Sequence, residues 1–335
     1  MDEFLLIKRY FASLTPGVAE SPQVVLGVGD DCALLDVPSQ QHLAVSIDTL
    51  VSGVHFLPDT HPADIAYKAL AVNLSDLAAM GASPAWFTLA LTLPEVNEQW
   101  LQPFAQGLAR ISDQFNIPLV GGDTTRGPLT ITIQVAGHIP RGAALRRSGA
   151  ATGDDLYVSG ELGWGSLGLA ALGRTDLINI PAEFSGMLEE GVSLSENNRQ
   201  SALDKLLRPT PRVALGLALR EFASSCIDVS DGIIADLGHL VASSQMGVQL
   251  DGSLLPIAPA LKELPFPVQL AFASFGDDYE LLFSAPVHHR QAVAALKNTL
   301  QLPITRIGSF SSEREGIVDM EGNAVLAKGY NHFGK

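Results

Sequence analysis

The chain has 335 residues, of which 47% are hydrophobic and 17% are charged, and its formal net charge is −15. This length predicts two domains, and this composition excludes an intrinsically disordered chain, which has few apolar residues and many charges. The acidic balance, without any stretch rich in Lys and Arg, argues against binding to the phosphates of nucleic acids.

The first part of the chain combines helical and strand-like patterns. Apolar residues recur at helical spacing over 1–20, 63–80 and 96–116, and Gly81 is a natural stop for the second of these helices. Alternating or continuously apolar runs predict strands at 23–28, 43–47, 86–93, 117–120 and 129–138. The mixture predicts an α+β or α/β domain.

The segment 140–155 is rich in Gly, Ala and charged residues, and it is the predicted domain boundary. The predicted domains are residues 1–148 and 149–335. Beyond the boundary, the patterns predict strands at 156–158, 248–250, 279–284 and 304–308 and helices near 167–172, 212–224 and 233–243. The acidic interval 175–198 is weakly patterned and is predicted to be a loop or short helices.

The cysteines and the apolar runs indicate where the protein works. Cys32 and Cys226 have no CxxC spacing, so neither a disulfide framework nor a zinc site is expected. The start of the chain lacks the charged-then-apolar order of a signal peptide, and no uncharged apolar run reaches about 18 residues. We therefore expect a cytoplasmic protein with no membrane or nucleic-acid partner.

Carboxylates recur where apolar runs end, often beside glycine. Asp also favours turns by itself, because its side chain bonds the nearby backbone, and this structural reading accounts for any single instance. Five such ends in one chain favour a shared role. The residues are Asp30 and Asp31, Asp48, Asp123, Asp228 with Asp231, and Asp277 with Asp278.

Asp76 is the only charged residue between Ala69 and Pro94, and it follows Asn73 by three positions on one helix face. Burying a lone carboxylate is costly, so this residue faces solvent, pairs with an arginine or holds a cation. Mg²⁺ binds carboxylate and phosphate oxygens together. A surplus of carboxylates predicts several ions, as phosphoryl transfer requires.

Familiar nucleotide and hydrolase motifs are absent. The chain lacks the GxxxxGK[ST] loop, the HRD and DFG pair of protein kinases, the GxSxG elbow and HExxH. A GxGxxG pattern occurs at 163–168, but four residues separate it from the preceding strand, and no acid ends a following strand at the expected distance. We interpret this pattern as a glycine-rich domain hinge rather than as a dinucleotide site.

Six blocks of sequence occur together over nearly the whole chain. They are GVGDDCALL (27–35), SIDTLVSGVHF (46–56), KALAVNLSDLAAMGA (68–82), GGDTTRG (121–127), IDVSDG (227–232) and DDYEL (277–281). In this order and combination they resemble the thiamine-monophosphate kinases, although any one block alone is only modestly specific. The wider superfamily, similar to aminoimidazole-ribonucleotide synthetase and selenophosphate synthetase, shares the two-domain plan but not these blocks.

The resemblance implies a two-domain PurM-like α/β fold, with an N-terminal sheet that forms a barrel-like core across a homodimer. It also implies that ATP, with several Mg²⁺ ions in the cleft between the domains, phosphorylates thiamine monophosphate to thiamine diphosphate. The metal positions are Asp31, Ser46, Ile47, Asp48, Asp76, Asp123, Asp228 and Asp231. The ATP positions are Gly122, Asp123, Arg147 and Ser230, and the thiamine-phosphate positions are His55, Asp277 and Tyr330.

Two of these positions depart from the family pattern. Ile47 stands where the family often has Thr, so only its backbone oxygen could bind an ion, and Asp277 stands where GGED-type members have Glu. His55 and Tyr330 also have ordinary structural readings, as a histidine after an apolar stretch and a tyrosine that packs the end of the chain. In the functional reading, Tyr330 contacts the cationic thiazolium.

The implied acceptor is a phosphate monoester that is mostly deprotonated near pH 7, so the transfer needs no general base. Its main obstacle is repulsion between two polyanions, since two like charges at about 4 Å repel by roughly 4 kcal/mol in a medium of effective dielectric near 20. Bound Mg²⁺ and Arg147 would offset this repulsion and favour direct in-line transfer. The alternatives are another ATP-dependent synthetase of the same superfamily and a cation-binding protein without turnover.

Overall fold

The computed structural model describes residues 3–14, 23–28, 32–188, 192 and 194–326. The chain divides into two compact units. The first unit comprises Met1–Leu77 and Ala82–Ala144, and the second comprises Ala78–Gly81 and Leu145–Lys335. Among the described residues, no helix is both long and apolar enough to cross a membrane.

The first unit is a mixed α/β structure. Its helices within the described residues are α1 (Glu3–Tyr10), α2 (Pro62–Ala79, whose last two residues belong to the second unit) and α3 (Glu98–Phe115). Its strands there are β1 (Val24–Leu26), β2 (Leu34–Leu35), β3 (Gln41–Val51), β4 (Ser83–Leu93), β5 (Leu119–Arg126) and β6 (Thr130–Pro140). Local sequence explains the bounds of α3, because Asn97 caps its first turn and Asn116 ends it in a left-handed conformation.

Four of these strands form a sheet in the order β3-β6-β4-β5. The β3–β6 and β6–β4 pairs are antiparallel, and β4–β5 is parallel. One face of the sheet carries the buried residues Phe87, Leu89, Leu91, Ile131, Ile133 and Val135. Ser46 lies opposite Val135 and Asp48 opposite Ile133, so these two polar residues share the buried face. Ile47 lies opposite Gln134 on the other face and is 59% exposed.

The second unit has a larger and mostly antiparallel sheet. Its strands within the described residues are β7 (Asp155–Ser159), β8 (Ser225–Asp228), β9 (Gly247–Leu250), β10 (Leu281–Ala285), β11 (Ile304–Ser311), β12 (Ile317–Val318) and β13 (Ala324–Val325). Their order is β13-β12-β9-β11-β7-β10-β8, and only β12–β9 is parallel. The three strands that position the candidate site, β7, β10 and β8, are therefore direct neighbours.

Six helices belong to this unit within the described residues. They are α4 (Trp164–Ala171), α5 (Glu196–Leu207), α6 (Val213–Leu219), α7 (Ile233–Ser244), α8 (Phe266–Ala273) and α9 (Arg290–Thr299). Apolar residues of α4, α7 and α8 pack with strand residues such as Leu156, Val158 and Leu282 in one buried core. This core fixes the loops that connect the helices to the ends of β8 and β10.

The predicted mixed α/β class is confirmed, and the short helices predicted within 175–198 are found at Thr175–Leu177 and Ala182–Leu188. The sequence patterns missed α8 and α9 and nearly all of α5. The hinge interpretation of 163–168 is wrong, because this segment lies inside the second unit, where Gly163 precedes the first turn of α4.

Candidate substrate and cation site

In the first unit, α2 places Asp76 against the middle of β3. The Ser46 hydroxyl donates a hydrogen bond to Asp76 Oδ2 over 2.5 Å. Asp76 is partly buried in a helix that is otherwise almost fully buried, which explains why a single carboxylate is tolerated there. The pair brings together two hard oxygen donors that the sequence assigned to metal binding.

Asn73 makes a second link between the same two elements. Its Oδ1 accepts the backbone N–H of Asp48 at 3.1 Å, while its Nδ2 donates to the carbonyl of Ala69 at 2.9 Å. Asn73 and Asp76 therefore both point at β3, as their spacing of three residues predicts. The fully buried amide fixes the backbone of Asp48 two residues from Ser46.

Strand β5 carries the two ATP positions of the first unit. Gly122 and Asp123 are both exposed, and they pair with Leu89 and Ala90 of β4. A Cβ atom at Gly122 would overlap the backbone oxygen of Leu89, so this strand pairing requires glycine there. Asp123 thus stands on an exposed part of an edge strand whose backbone is tightly constrained.

His55 lies in the turn after β3. Its Nδ1 accepts the backbone N–H of Val51 at 3.0 Å, which places the ring proton on Nε2. The histidine therefore has a structural contact with the turn through Nδ1.

In the second unit, three carboxylates occur at the end of β8 and in the loop and helix that follow it. Asp228 is the last residue of β8 and is buried, and Asp231 follows three residues later. The backbone N–H of Asp231 donates to Oδ2 of Asp236, a buried residue in the first turn of α7, at 3.1 Å. Burial, together with the nearby charges of Asp228 and Asp231, raises the pKa of Asp236 to about 8.

The sequence patterns missed Asp236. The available signal was a carboxylate five residues after Asp231, inside an otherwise apolar helical stretch. Burial is the main cause of this raised pKa, and the nearby charges of Asp228 and Asp231 add to it, so a bound cation would favour the ionised carboxylate.

Asp277 approaches the same loop from the segment before β10. Its backbone N–H donates to the carbonyl of Ser230 at 2.9 Å, and the N–H of Tyr279 donates to the carbonyl of Val229 at 2.9 Å. The Tyr279 hydroxyl donates to Oδ1 of Asp277 at 2.9 Å. The structure therefore joins Ser230 and Asp277, one ATP position and one thiamine-phosphate position.

The remaining assigned residues are placed as follows. Arg147 is exposed, and its carbonyl accepts a hydrogen bond from the Ser244 hydroxyl at 3.1 Å. Asp31 and Tyr330 lie outside the described residues.

The expectation that the acids follow strands is wrong in three places. Asp48 and Asp123 lie inside β3 and β5, which continue through polar residues beyond the apolar runs. Asp277 follows α8, a helix whose mostly apolar sequence cannot be told from a buried strand by its pattern alone. Asp228 does end a strand, as predicted.

The donor set fits Mg²⁺ by its chemistry, since carboxylates and a hydroxyl are hard oxygen ligands. Within the described residues of either unit, no three His, Cys, Asp or Glu side chains are close enough together to hold a metal ion by themselves. Phosphate oxygens of a substrate complete the coordination shell in many Mg²⁺ sites. Ser46, Asp48 and Asp76 in the first unit and Asp228 and Asp231 in the second are the residues that would hold ions.

Comparisons with known proteins agree with this chemistry. Residues 29–139 match the family described as AIR synthase related protein, N-terminal domain. A thiamine-monophosphate kinase of Escherichia coli strain K12 is 47% identical over 337 residues, which cover 99% of this chain and 98% of that protein.

Solved structures show the same likeness. A thiamine-monophosphate kinase from Stenotrophomonas maltophilia K279a has a TM-score of 0.83 at 44% identity, covering 97% of this chain and 98% of that one. AaThiL, solved in complex with AMPPCP and TMP, has a TM-score of 0.74 at 28% identity and covers 89% of each chain. Because the similarity in sequence extends over both units, the chain belongs to the thiamine-monophosphate kinase family.

Proposed function

We propose that this enzyme transfers the γ-phosphoryl group of ATP to thiamine monophosphate, giving thiamine diphosphate and ADP. The observation that carries the choice of substrates is the likeness to AaThiL, which was solved with AMPPCP and TMP. We take these ligands to be an unhydrolysable ATP analogue and thiamine monophosphate. The full-length identity of 47% to a kinase with this name supports the same choice.

Several Mg²⁺ ions assist this reaction in our proposal. When bound, they supply positive charge that offsets the repulsion between the donor and acceptor phosphates. The hydrogen bond between Ser46 and Asp76 preorganises two of the ligand oxygens, and Asn73 fixes the backbone of Asp48 beside them. Asp228 and Asp231 form the second group, with Asp236 fixing the backbone of Asp231.

Each of the remaining proposed metal positions contributes one oxygen-bearing group. Asp123 supplies a carboxylate from the exposed part of β5, and Ile47 supplies only its backbone oxygen, since its side chain is apolar. Asp31 completes the set in the proposal by its place in the GVGDDCALL block.

Binding of the two substrates uses different residues. We assign the ATP phosphates to Gly122, Asp123, Arg147 and Ser230, with Arg147 neutralising phosphate charge. We assign thiamine monophosphate to His55, Asp277 and Tyr330. The hydrogen bond from Tyr279 orients the Asp277 carboxylate, which is shorter than the Glu of related sequences.

The transfer is direct and in-line in our proposal, because an ionised phosphate acceptor requires neither a general base nor a phosphoenzyme. ATP made chiral at the γ-phosphorus by oxygen isotopes tests this point. A single in-line transfer inverts the configuration in thiamine diphosphate, whereas retention would indicate a phosphoenzyme and contradict the proposal.

We further propose that residues 1–148 bind ATP and Mg²⁺ and that residues 149–335 form an α/β domain. The first of these domains forms a homodimer in our proposal, through the face of the sheet that carries Ile47. The support for a dimer is an exposed apolar strip on β3, where Val45 is 51% and Ile47 59% exposed. Such strips on edge strands are sites of association. Light scattering after gel filtration gives the mass of a dimer if this is correct, and Val45→Lys shifts it towards the monomer.

The cytoplasmic location expected from the sequence stays a prediction.

The decisive experiment is incubation of the purified chain with ATP, Mg²⁺ and thiamine monophosphate, followed by quantification of thiamine diphosphate and ADP. We expect the two products in equal amounts and no turnover when the Mg²⁺ is removed by EDTA. A synthetase of the same superfamily would release no thiamine diphosphate. A cation-binding protein without turnover would bind Mg²⁺ but release no ADP.

A further inference from the structure

The carboxylate of Asp278 binds the first turn of α4. Its Oδ2 accepts the backbone N–H of Gly163 at 2.8 Å, and its Oδ1 accepts the N–H of Gly165 at 3.2 Å. A helix N-terminus carries N–H groups without partners in the helix and a partial positive charge, so an acid from another segment is stabilised there. The GxGxxG pattern thus receives a carboxylate of its own chain, and the two N–H groups that would face a phosphate are occupied.

Close packing and backbone conformation explain why two positions of this pattern, Gly165 and Gly163, are glycine. A Cβ atom at Gly165 would lie 2.6 Å from the backbone oxygen of Asp277 and 2.7 Å from its Cβ. Gly163 has a φ of 88°, a conformation that residues with side chains rarely adopt. Gly165 therefore permits the segment before β10 to pack closely against α4, and Gly163 permits the backbone conformation at the start of that helix.

The segment held in this way has an unusual backbone. Asp277 and Tyr279 have φ values of 63° and 50°, which are unfavourable for residues with side chains. Such conformations persist when surrounding contacts determine them, and they concentrate at functional sites. Asp278 lies between these two residues and fixes the segment from the side of α4.

Glu280 anchors the same segment two residues further on. Its buried carboxylate accepts hydrogen bonds from the Ser159 hydroxyl, at 2.6 Å, and from the Arg212 guanidinium. Asp278 and Glu280 are thus tied to the body of the second unit, while Asp277 and Tyr279 are linked through the Tyr279 hydroxyl.

We propose that Asp278 is a positioning residue for the phosphate acceptor: by binding the N-terminus of α4, it holds the backbone on either side so that Asp277 meets thiamine monophosphate in one orientation. This inference rests on the proposed function, in which Asp277 contacts that substrate. Asp278 itself touches neither substrate in this proposal. Loss of its carboxylate therefore weakens acceptor binding more than ATP binding, because Ser230 meets this segment through the backbone of Asp277 and not through its carboxylate.

The test compares Asp278→Asn and Asp278→Ala with the wild type in steady-state kinetics. We expect the KM for thiamine monophosphate to rise about tenfold or more in the Ala variant, and less in the Asn variant, which keeps one acceptor oxygen. The KM for ATP should stay within about twofold of the wild type. Gly165→Ala should reproduce the rise in acceptor KM, because the added methyl group displaces Asp277.

Matched controls separate this effect from general destabilisation. Asp319 also accepts two backbone N–H groups, those of Glu321 and Asn323, but in the turn between β12 and β13, so Asp319→Asn should keep both KM values. Gly186→Ala is the control for Gly165→Ala, because among the described residues no atom beyond its chain neighbours lies within 4 Å of a Cβ there. Equal rises in both KM values, or a fall in kcat alone, would contradict the positioning role.

Hydrogen–deuterium exchange gives a readout that needs no turnover. The amides of Asp277 and Tyr279 should exchange faster in Asp278→Ala than in the wild type, while those of β11 keep their rate. If the wild type forms no thiamine diphosphate, the proposed function fails, and unchanged exchange in the variant separately refutes the structural part of the inference. If the wild type is active and the variant keeps its acceptor KM, only the positioning role is refuted.

Discussion

Ser46 donates a hydrogen bond to Asp76 over 2.5 Å and so joins the middle of β3 to α2. The two residues are 30 positions apart in the sequence, so each element brings one oxygen-bearing side chain to this contact. Close by, the backbone N–H of Asp48 donates a hydrogen bond to the side chain of Asn73, which also fixes the position of α2 along β3. This geometry explains how α2 presents a carboxylate to β3, at the position where we propose that a cation binds.

Replacing Asp76 or Asp123 with Asn removes a negative charge and keeps the size of the side chain. We expect each variant to fold normally and to lose turnover by at least about a hundredfold, because the proposed ions lose a ligand. Steady-state kinetics and circular dichroism test this expectation. Asp113→Asn, at an exposed position of α3, is the control and should keep wild-type turnover. Turnover within a few-fold of wild type in both site variants would argue against metal-assisted transfer.

Ser46→Ala removes the hydroxyl that contacts Asp76. We expect the Mg²⁺ concentration for half-maximal rate to rise several-fold, because one oxygen donor is lost while the carboxylates remain. Thr49→Ala is the matched control on the same strand, since the Thr49 hydroxyl contacts Thr132 instead. A Mg²⁺ titration of the initial rate distinguishes them. The account is contradicted if both variants respond alike.

Adjacent glycines in β5 should differ sharply in their tolerance of alanine. A Cβ at Gly122 would overlap the Leu89 backbone, whereas no atom lies within 4 Å of a Cβ at Gly121. We expect Gly122→Ala to reduce the free energy of unfolding by about 1–3 kcal/mol or more, through displacement of β5 from β4. Gly121→Ala should change it by less than about 1 kcal/mol. Urea denaturation measures both, and equal losses would refute the packing argument.

The buried ion pair between Arg212 and Glu280 should matter far more than an exposed one. Their side chains are 13% and 3% exposed, whereas those of the Arg174–Asp176 pair are 35% and 61% exposed. Arg212→Ala leaves the Glu280 carboxylate buried without its guanidinium and should cost about 3–5 kcal/mol of stability. Arg174→Ala should lower the denaturation midpoint far less, because solvent screens an exposed ion pair. Similar denaturation midpoints for the two variants would contradict this assignment.

The pH dependence of stability tests the burial of Asp278. Burial raises the pKa of this carboxyl to about 7, although the N–H groups of Gly163 and Gly165 lower it in part. A raised pKa means that the folded state holds the proton more tightly, so the stability due to Asp278 is fully present below about pH 4 and is lost as the pH rises through 7.

Asp278→Asn should therefore gain in Tm relative to the wild type between pH 5 and pH 8, by at least about 2 °C. Asp319→Asn provides the control, because the hydrogen bond from Asn323 lowers the pKa of Asp319 and the carboxyl stays ionised throughout this window. Thermal scans at both pH values measure the difference. A Tm difference between Asp278→Asn and the wild type that is the same at pH 5 and pH 8 would show that the carboxyl does not titrate in this range.

The sequence predicted α2 and its isolated Asp76 well, because Asp76 is the only charged residue in the long, mostly apolar stretch between Ala69 and Pro94. Its link to Ser46 could not be predicted, because the apolar run 43–47 suggested a strand that stops before Asp48, whereas pairing with β6 continues β3 through Val51. Cross-strand hydrogen bonds do not depend on side-chain polarity, so a polar residue is a poor marker of a strand end.

The candidate residues of the second unit were harder to predict, because their roles also depend on contacts between distant parts of the chain. The role of Asp278 depends on α4, which contacts it from 113 positions away in the chain. The local pattern around Gly163 matches a nucleotide-binding motif, and only tertiary structure shows that an acid occupies it. Asp236 was missed because a single acid in an amphipathic helix usually faces solvent.

The central claim is that these carboxylates hold divalent ions at the phosphates of ATP and thiamine monophosphate. Crystals grown with an unhydrolysable ATP analogue, thiamine monophosphate and Mn²⁺ in place of Mg²⁺ test it directly through anomalous scattering. We predict Mn²⁺ peaks within coordination distance of Asp76 and Asp228, each also bound by phosphate oxygen. Peaks confined to other surfaces, with both substrates bound and these aspartates unligated, would contradict the account.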